Sequence, residues 1–305
     1  MIIYLIKSCR LKQWTKNILI FVPAIFSKDY YLFGWLNCAE AFISFCLISS
    51  GIYLINDLID IDSDRSHPTK CKRPIAAGKI KPNIAFSSSL FLIALSLIIS
   101  ANISNLIFLL LTLYLFIQIL YCLIFKHKPI LDIFSISAGF LLRALVGVAA
   151  YGGNWSHWFL LTIGMLSLFL AIEKRKTELR NSEKSGVLTR KVLSRYSLPL
   201  FQRLESTVTS CAFMAYALWS SGPNLNGAET SWMLITVPFV LMGIFRYQLI
   251  SDPQESNKRM LINKEDTTEK PEEILLRDKG IKITIICWLL CVISVKILYQ
   301  NNYIT

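Results

Sequence analysis

The chain has 305 residues, 54% of them hydrophobic and only 17% charged, and its mean hydropathy is +0.50. A soluble domain carries about a quarter charged residues, so this composition excludes an ordinary water-soluble fold. The net charge of +12 would suit nucleic acid, but the cations lie in loops on one side of a membrane pattern. That placement excludes nucleic acid as partner and points to topology and anionic membrane lipids.

The start, "MIIYLIKSCRLKQWTKN", has no small-residue cleavage site, so no cleavable leader is expected. Long apolar runs then predict nine membrane helices, near 13–33, 36–59, 84–101, 104–124, 130–150, 157–178, 199–220, 231–249 and 281–299. The first is interrupted at Pro23. The fold class is all-α: one polytopic membrane domain over 1–305, with loops at 60–83, 179–198 and 250–280. All but Lys28, Arg143 and Lys296 of the 32 Lys and Arg fall at the N-terminus, in connections after even-numbered helices or at the helix ends beside them. By the positive-inside rule those connections are cytoplasmic, the N-terminus with them, and the C-terminus is outside the cytoplasmic membrane. Eight cysteines are scattered with no C-x-x-C pair, and they read as small apolar helix residues.

The second helix runs into "NDLIDIDSDRSHPTKCKRPIAAG". If that helix continues, Asp57, Asp60 and Asp64 share one face, Asn56 joins its edge and Asp62 points away. Carboxylates at a helix C-terminus oppose the macrodipole. Three on one face repel unless a cation lies among them, and Mg²⁺ takes one or two carboxylates together with substrate phosphates. The loop that follows supplies Arg65, Lys70, Lys72, Arg73 and Lys79, with Arg73 held extended by Pro74. Acid for metal beside base for phosphate is what a diphosphate site requires.

That order of motifs, "NDLIDIDSD" then "HPTKCKRPIAAG", resembles the UbiA-type membrane prenyltransferase superfamily. The stretches "RLKQWTKN", "LDIFSISAGFLLRA", "EKRKTEL" and "PEEILLRD" make the chain similar to one branch, the decaprenyl-phosphate phosphoribosyltransferases. The resemblance implies a helix bundle with Mg²⁺ at Asn56, Asp57, Asp60 and Asp64. It also implies transfer of phosphoribose from phosphoribosyl pyrophosphate to a polyprenyl phosphate. The superfamily's second acidic motif corresponds here to "FLAIEKRKTELRNSEK", which has no aspartate. Lys174 and Glu178 share a face there at i, i+4, Arg175 flanks them, and Glu173 is left out of the set. This net-basic segment suits a donor bearing an extra phosphate. Lys176, Arg180 and Lys184 read as topology cations.

On the fifth helix, Asp132 and Arg143 are three turns apart on one face. An arginine at that depth either pairs structurally or binds phosphate, and the residues leave both open. Lys126 and Lys128 resemble the superfamily's diphosphate-contacting segment. Glu273 and Arg277 form an i, i+4 pair in the last large loop, read as a cap helix. The assigned substrate-binding set is Asn56, Arg73, Lys126, Arg143, Lys174, Arg175 and Glu178. Two rivals stay open: an ordinary prenyltransferase with an aromatic or tetrapyrrole acceptor, and a lipid transporter. Oligomeric state is undetermined, a homo-oligomer included.

Overall fold

The computed structural model describes residues 2–27, 31–66, 70–152, 156–185, 191–252, 274, 278–301 and 303. Among them there is no strand. Eight long helices dominate: α1 (Leu32–Ile59), α2 (Pro82–Ile103), α3 (Asn105–Leu123), α4 (Leu131–Tyr151), α5 (His157–Ser185), α6 (Leu198–Ser220), α7 (Val237–Ser251) and α8 (Lys279–Gln300). Their starts follow local chemistry. Proline stands in the first turn of α2, α6 and α7, where its missing N–H costs nothing. The side chains of Ser104, Ser197 and Asp278 accept from Leu106 N, Leu200 N and Ile281 N to cap α3, α6 and α8.

Seven segments among the described residues are long and apolar enough to cross a membrane: the five helices α1 to α5, 231–251 and α8. Phe91, Phe245 and Leu290 are exposed on them, as lipid-facing side chains are. The protein is an integral membrane protein. Two of the nine expected spans differ. The region 199–220 is one helix, α6, but Arg203 and Glu205 interrupt its apolar character. The region 13–33 begins as a 3₁₀ helix, Leu11–Phe21, followed by one α-turn, Val22–Ile25, with Pro23 in its first turn.

The chain divides into two compact units, residues 1–126 with 138–154, and residues 127–137 with 155–305. In unit one, α1 packs closely on α2. Ser44 Oγ donates to the Ser96 carbonyl and Ser96 Oγ to the Ser44 carbonyl, each at 2.7 Å. A Cβ on Gly51 would meet Ile93 at 2.7 Å, so the small residues set this approach. Phe45, Ile48, Leu111, Val146 and Ile20 fill the core. The N-terminal 3₁₀ segment is tied in by Trp14, which donates to Ser50 Oγ at 3.1 Å, and by Gly147, where a Cβ would lie 2.1 Å from the Ile20 carbonyl oxygen. In unit two, α5 packs on α6. Leu168, Ile172, Leu193 and Phe201 fill one core, and Phe169, Tyr247, Ile250 and Ile281 a second.

Candidate active site

Unit one assembles the aspartate motif, but not on a continuous helix. Helix α1 ends at Ile59, Asp60 takes φ −91° and ψ 8°, and a short helix, Ile61–Arg65, follows. Asp57 and Asp60, at the end of α1, work against its dipole, whereas Asp62 and Asp64 stand in the first turn of the short helix, and cations from other segments pair with Asp57, Asp60 and Asp64. Arg73 Nη1 donates to Asp64 Oδ2 at 2.6 Å and to Asp57 Oδ1 at 3.2 Å. Arg10 also pairs with Asp57. Asp60 turns instead to Lys126 Nζ, at 2.5 Å. Asp62 is exposed, its carboxylate 3.5 Å from the surface Arg65. The expected single face of Asp57, Asp60 and Asp64 is therefore corrected to two sub-sites, and Asn56 Oδ1 accepts from the Cys122 thiol.

Asp57 and Asp64 are both buried, and both present an oxygen within 3.2 Å of one guanidinium nitrogen. No group of three His, Cys, Asp or Glu side chains among the described residues could hold a metal. Two convergent carboxylates nevertheless fit Mg²⁺, a hard cation that completes its shell with waters and substrate phosphates.

Arg10, the first residue of "RLKQWTKN", joins this cluster from outside the acidic motif. It lies in the left-handed region, φ 53° and ψ 52°, with its guanidinium 4.8 Å from the Tyr53 ring centre. Such a backbone is uncommon outside glycine.

Arg143, in the unit-one part of α4, is buried. It donates to Asn17 Oδ1 at 2.7 Å, to the Gly139 carbonyl at 2.6 Å and to Tyr114 Oη at 3.2 Å. The rings of Phe45, Tyr114 and Phe140 lie within 5.5 Å of its guanidinium carbon. Its partners are those of a structural tie for the N-terminal segment. Asp132, read on the same face, has different partners in unit two.

There the second segment is neutralised rather than openly basic. Arg175 is fully buried, its Nε donating to Asp132 Oδ2 at 2.8 Å and its Nη1 to Glu178 Oε2 at 2.6 Å. Tyr196 Oη donates to Asp132 Oδ1 at 2.8 Å. Lys176, expected among headgroups, lies instead between Glu173 Oε1 at 2.9 Å and Glu205 Oε2 at 2.5 Å. A cation inside a span needs such partners. Lys174 is half-buried on the same helix. Tyr196 and Glu205 stand in no motif and are remote in sequence from any, whereas Glu173 lies within the quoted segment and, though set aside there, pairs with Lys176. Glu273 and Arg277 lie outside the described residues.

Known proteins resemble the chain over most of its length. The profile of the UbiA prenyltransferase family matches residues 18–263. The decaprenyl-phosphate phosphoribosyltransferase of Corynebacterium glutamicum is 35% identical over 95% of this chain and 85% of its own length. The enzyme of that name from Mycolicibacterium smegmatis is 34% identical over 93% and 90%. A UbiA homolog from Archaeoglobus fulgidus, solved bound to GPP and Mg²⁺, superposes with a TM-score of 0.68 at 18% identity, covering 96% of this chain and 99% of that one. A profile match over most of the sequence, joined to near full-length kinship above 30%, settles the lineage: the chain belongs to the UbiA prenyltransferase family.

Proposed function

We propose that this protein transfers 5-phosphoribose from phosphoribosyl pyrophosphate to a polyprenyl, decaprenyl-like phosphate at the cytoplasmic face of the membrane, releasing diphosphate. Full-length similarity to the phosphoribosyltransferases supports the reading. One observation favours it over ordinary prenyl transfer: the second segment, residues 169–184, has no aspartate, and two of its three glutamates, Glu173 and Glu178, pair with Lys176 and Arg175 of the same segment. A segment without the aspartate pair, and with a net positive charge, suits a donor that carries an extra phosphate better than a second metal–diphosphate.

In the reaction the bond from the anomeric carbon to diphosphate breaks, and a lipid-phosphate oxygen bonds to that carbon. The attacking oxygen is already anionic, so no strong general base is needed. Bound at Asp57 and Asp64, with Asp60 and Asn56 at hand, Mg²⁺ would neutralise charge on the leaving diphosphate. Arg10, Arg73 and Lys126, released from their carboxylates, orient phosphate oxygens, and orientation supplies much of the rate. In unit two, Lys174, Arg175 and Glu178 are assigned to substrate binding. The basic loops support the cytoplasmic assignment.

The test is incubation of purified protein with radiolabelled phosphoribosyl pyrophosphate and polyprenyl phosphate, with and without Mg²⁺. Mg²⁺-dependent transfer of label into the lipid phase is expected. Prenylation of an aromatic acceptor from a prenyl diphosphate, with no turnover of the sugar donor, would restore the ordinary prenyltransferase.

A further inference from the structure

Unit two contains a strained turn that no assigned residue explains. Ile130 has φ 69°, the left-handed region, where a β-branched side chain is a genuine outlier. Strain of this kind persists only where the surroundings over-determine it, and it gathers at functional sites. What holds this turn is visible. The Ile130 N–H donates to Tyr196 Oη at 2.6 Å. The same hydroxyl donates onward to Asp132 Oδ1 at 2.8 Å, the other oxygen of Asp132 accepts from Arg175, and Arg175 donates to Glu178. The chain of bonds starts at a backbone amide just after Lys128 and Pro129. It ends on Glu178, which is 14% exposed where Asp132 and Arg175 are fully buried.

Tyr196 is built to stay in place. Its ring stacks on Phe201 with centres 4.6 Å apart, and it lies in the core beside Ile133 and Leu193. Burial foremost pushes its phenol above the ordinary value, so the hydroxyl keeps the proton it donates. Each bond in such a chain polarises the next, so loss of the joint is felt at both ends.

We propose that Tyr196 is a positioning residue for the sugar donor: its hydroxyl locks the Ile130 turn and, through Asp132, fixes Arg175 and the Glu178 carboxylate at the accessible end. The donor assignment rests on the phosphoribosyl reading above; the joint itself does not. A carboxylate held still suits the hydroxyls of a ribose, which a prenyl diphosphate lacks, and a site built for hydroxyls discriminates strongly against a ligand without them.

The test uses Tyr196→Phe in the full-length protein, with two readouts. Amide hydrogen exchange is measured on detergent-purified protein, whatever it catalyses. The Ile130 amide should lose protection in the variant while the α5 amides keep theirs. Kinetics should show the KM for phosphoribosyl pyrophosphate rising about tenfold, the scale of one hydrogen bond to a charged group, with the KM for polyprenyl phosphate changing less than about twofold. Unchanged protection at Ile130 overturns the joint. Lost protection with wild-type kinetics overturns the positioning role, and so does an equal loss for both substrates. If Tyr196→Phe does not fold, Asp132→Asn serves for the kinetic limb with the same expectation. Ile130→Gly, which accepts a positive φ freely, should restore part of the Tyr196→Phe loss. Failure of wild-type protein to turn over the sugar donor overturns the phosphoribosyl reading and the donor assignment made here, while exchange still decides the joint.

Discussion

Replacing Arg73 by alanine removes the cation shared by two buried carboxylates. Asp57 and Asp64 side chains are each 3% exposed, and Arg73 is 26% exposed. Removing one partner of a fully buried pair costs about 3–5 kcal/mol. Water reaches the Arg73 side, and Arg10 still faces Asp57, so about 2–3 kcal/mol is expected, or a fall in Tm of roughly 5 °C or more. The double variant Arg73→Ala/Asp64→Asn should recover most of that loss, because the stranded charge goes with its partner. Thermal unfolding of detergent-purified protein measures both. Mg²⁺ adds a second arm. A ligand at a hundred times its Kd stabilises by about 2.7 kcal/mol, and in Arg73→Ala it has no guanidinium to displace, so Mg²⁺ should raise Tm more in the variant than in the wild type. Turnover should fall about ten- to a hundredfold with the lost phosphate contact. A stability cost under about 0.5 kcal/mol, or a variant indifferent to Mg²⁺, would refute the shared-cation account.

Asp60→Ala should remove most activity at saturating Mg²⁺ because it takes away one of the carboxylates assigned to the metal, while Asp62→Ala should change turnover less than about twofold, as expected of an exposed pair. Lys176→Met leaves Glu173 and Glu205 buried without their cation and should destabilise by about 3–5 kcal/mol in the same unfolding assay; the further change Glu173→Gln should relieve part of it. Gly147→Ala pushes a methyl into the Ile20 carbonyl and should lower both Tm and activity, since it displaces the segment carrying Arg10. In a cysteine-free background, Asn224→Cys should react with an impermeant thiol reagent from outside and Ala77→Cys only after permeabilisation; the reverse pattern would invert the proposed orientation.

The apolar runs announced seven of the spans, because hydrophobic length is local information. The N-terminal segment was read as a long interrupted helix, and Pro23 alone could not show that residues 11–21 wind as a 3₁₀ helix. That geometry is set by Gly147 and Arg143, more than a hundred residues away. The aspartates were legible as a cluster from their spacing. Their division between Arg73 and Lys126 was not, since helical periodicity has no knowledge of which cation arrives from another segment. The same holds for the second segment: "EKRKTEL" looks basic in one dimension, and its neutralising Asp132 and Glu205 are supplied by other helices. Tyr196 carried no motif, only an aromatic ring in a loop.

The Arg143 tie bears on how the chain is made. Asn17 leaves the ribosome 126 residues ahead of the arginine that it will bind, and Tyr114 also precedes it. Until α4 enters the bilayer, Asn17 and the N-terminal segment wait without that partner. Arg143, once it arrives, is costly in lipid until it reaches Asn17 and the aromatic rings. Docking of the first segment, which Trp14 begins on Ser50, is therefore completed only when the fourth helix inserts, late in the synthesis of unit one. A nascent chain stalled short of residue 143 should keep its N-terminal segment open to protease, and a chain stalled well past it should not.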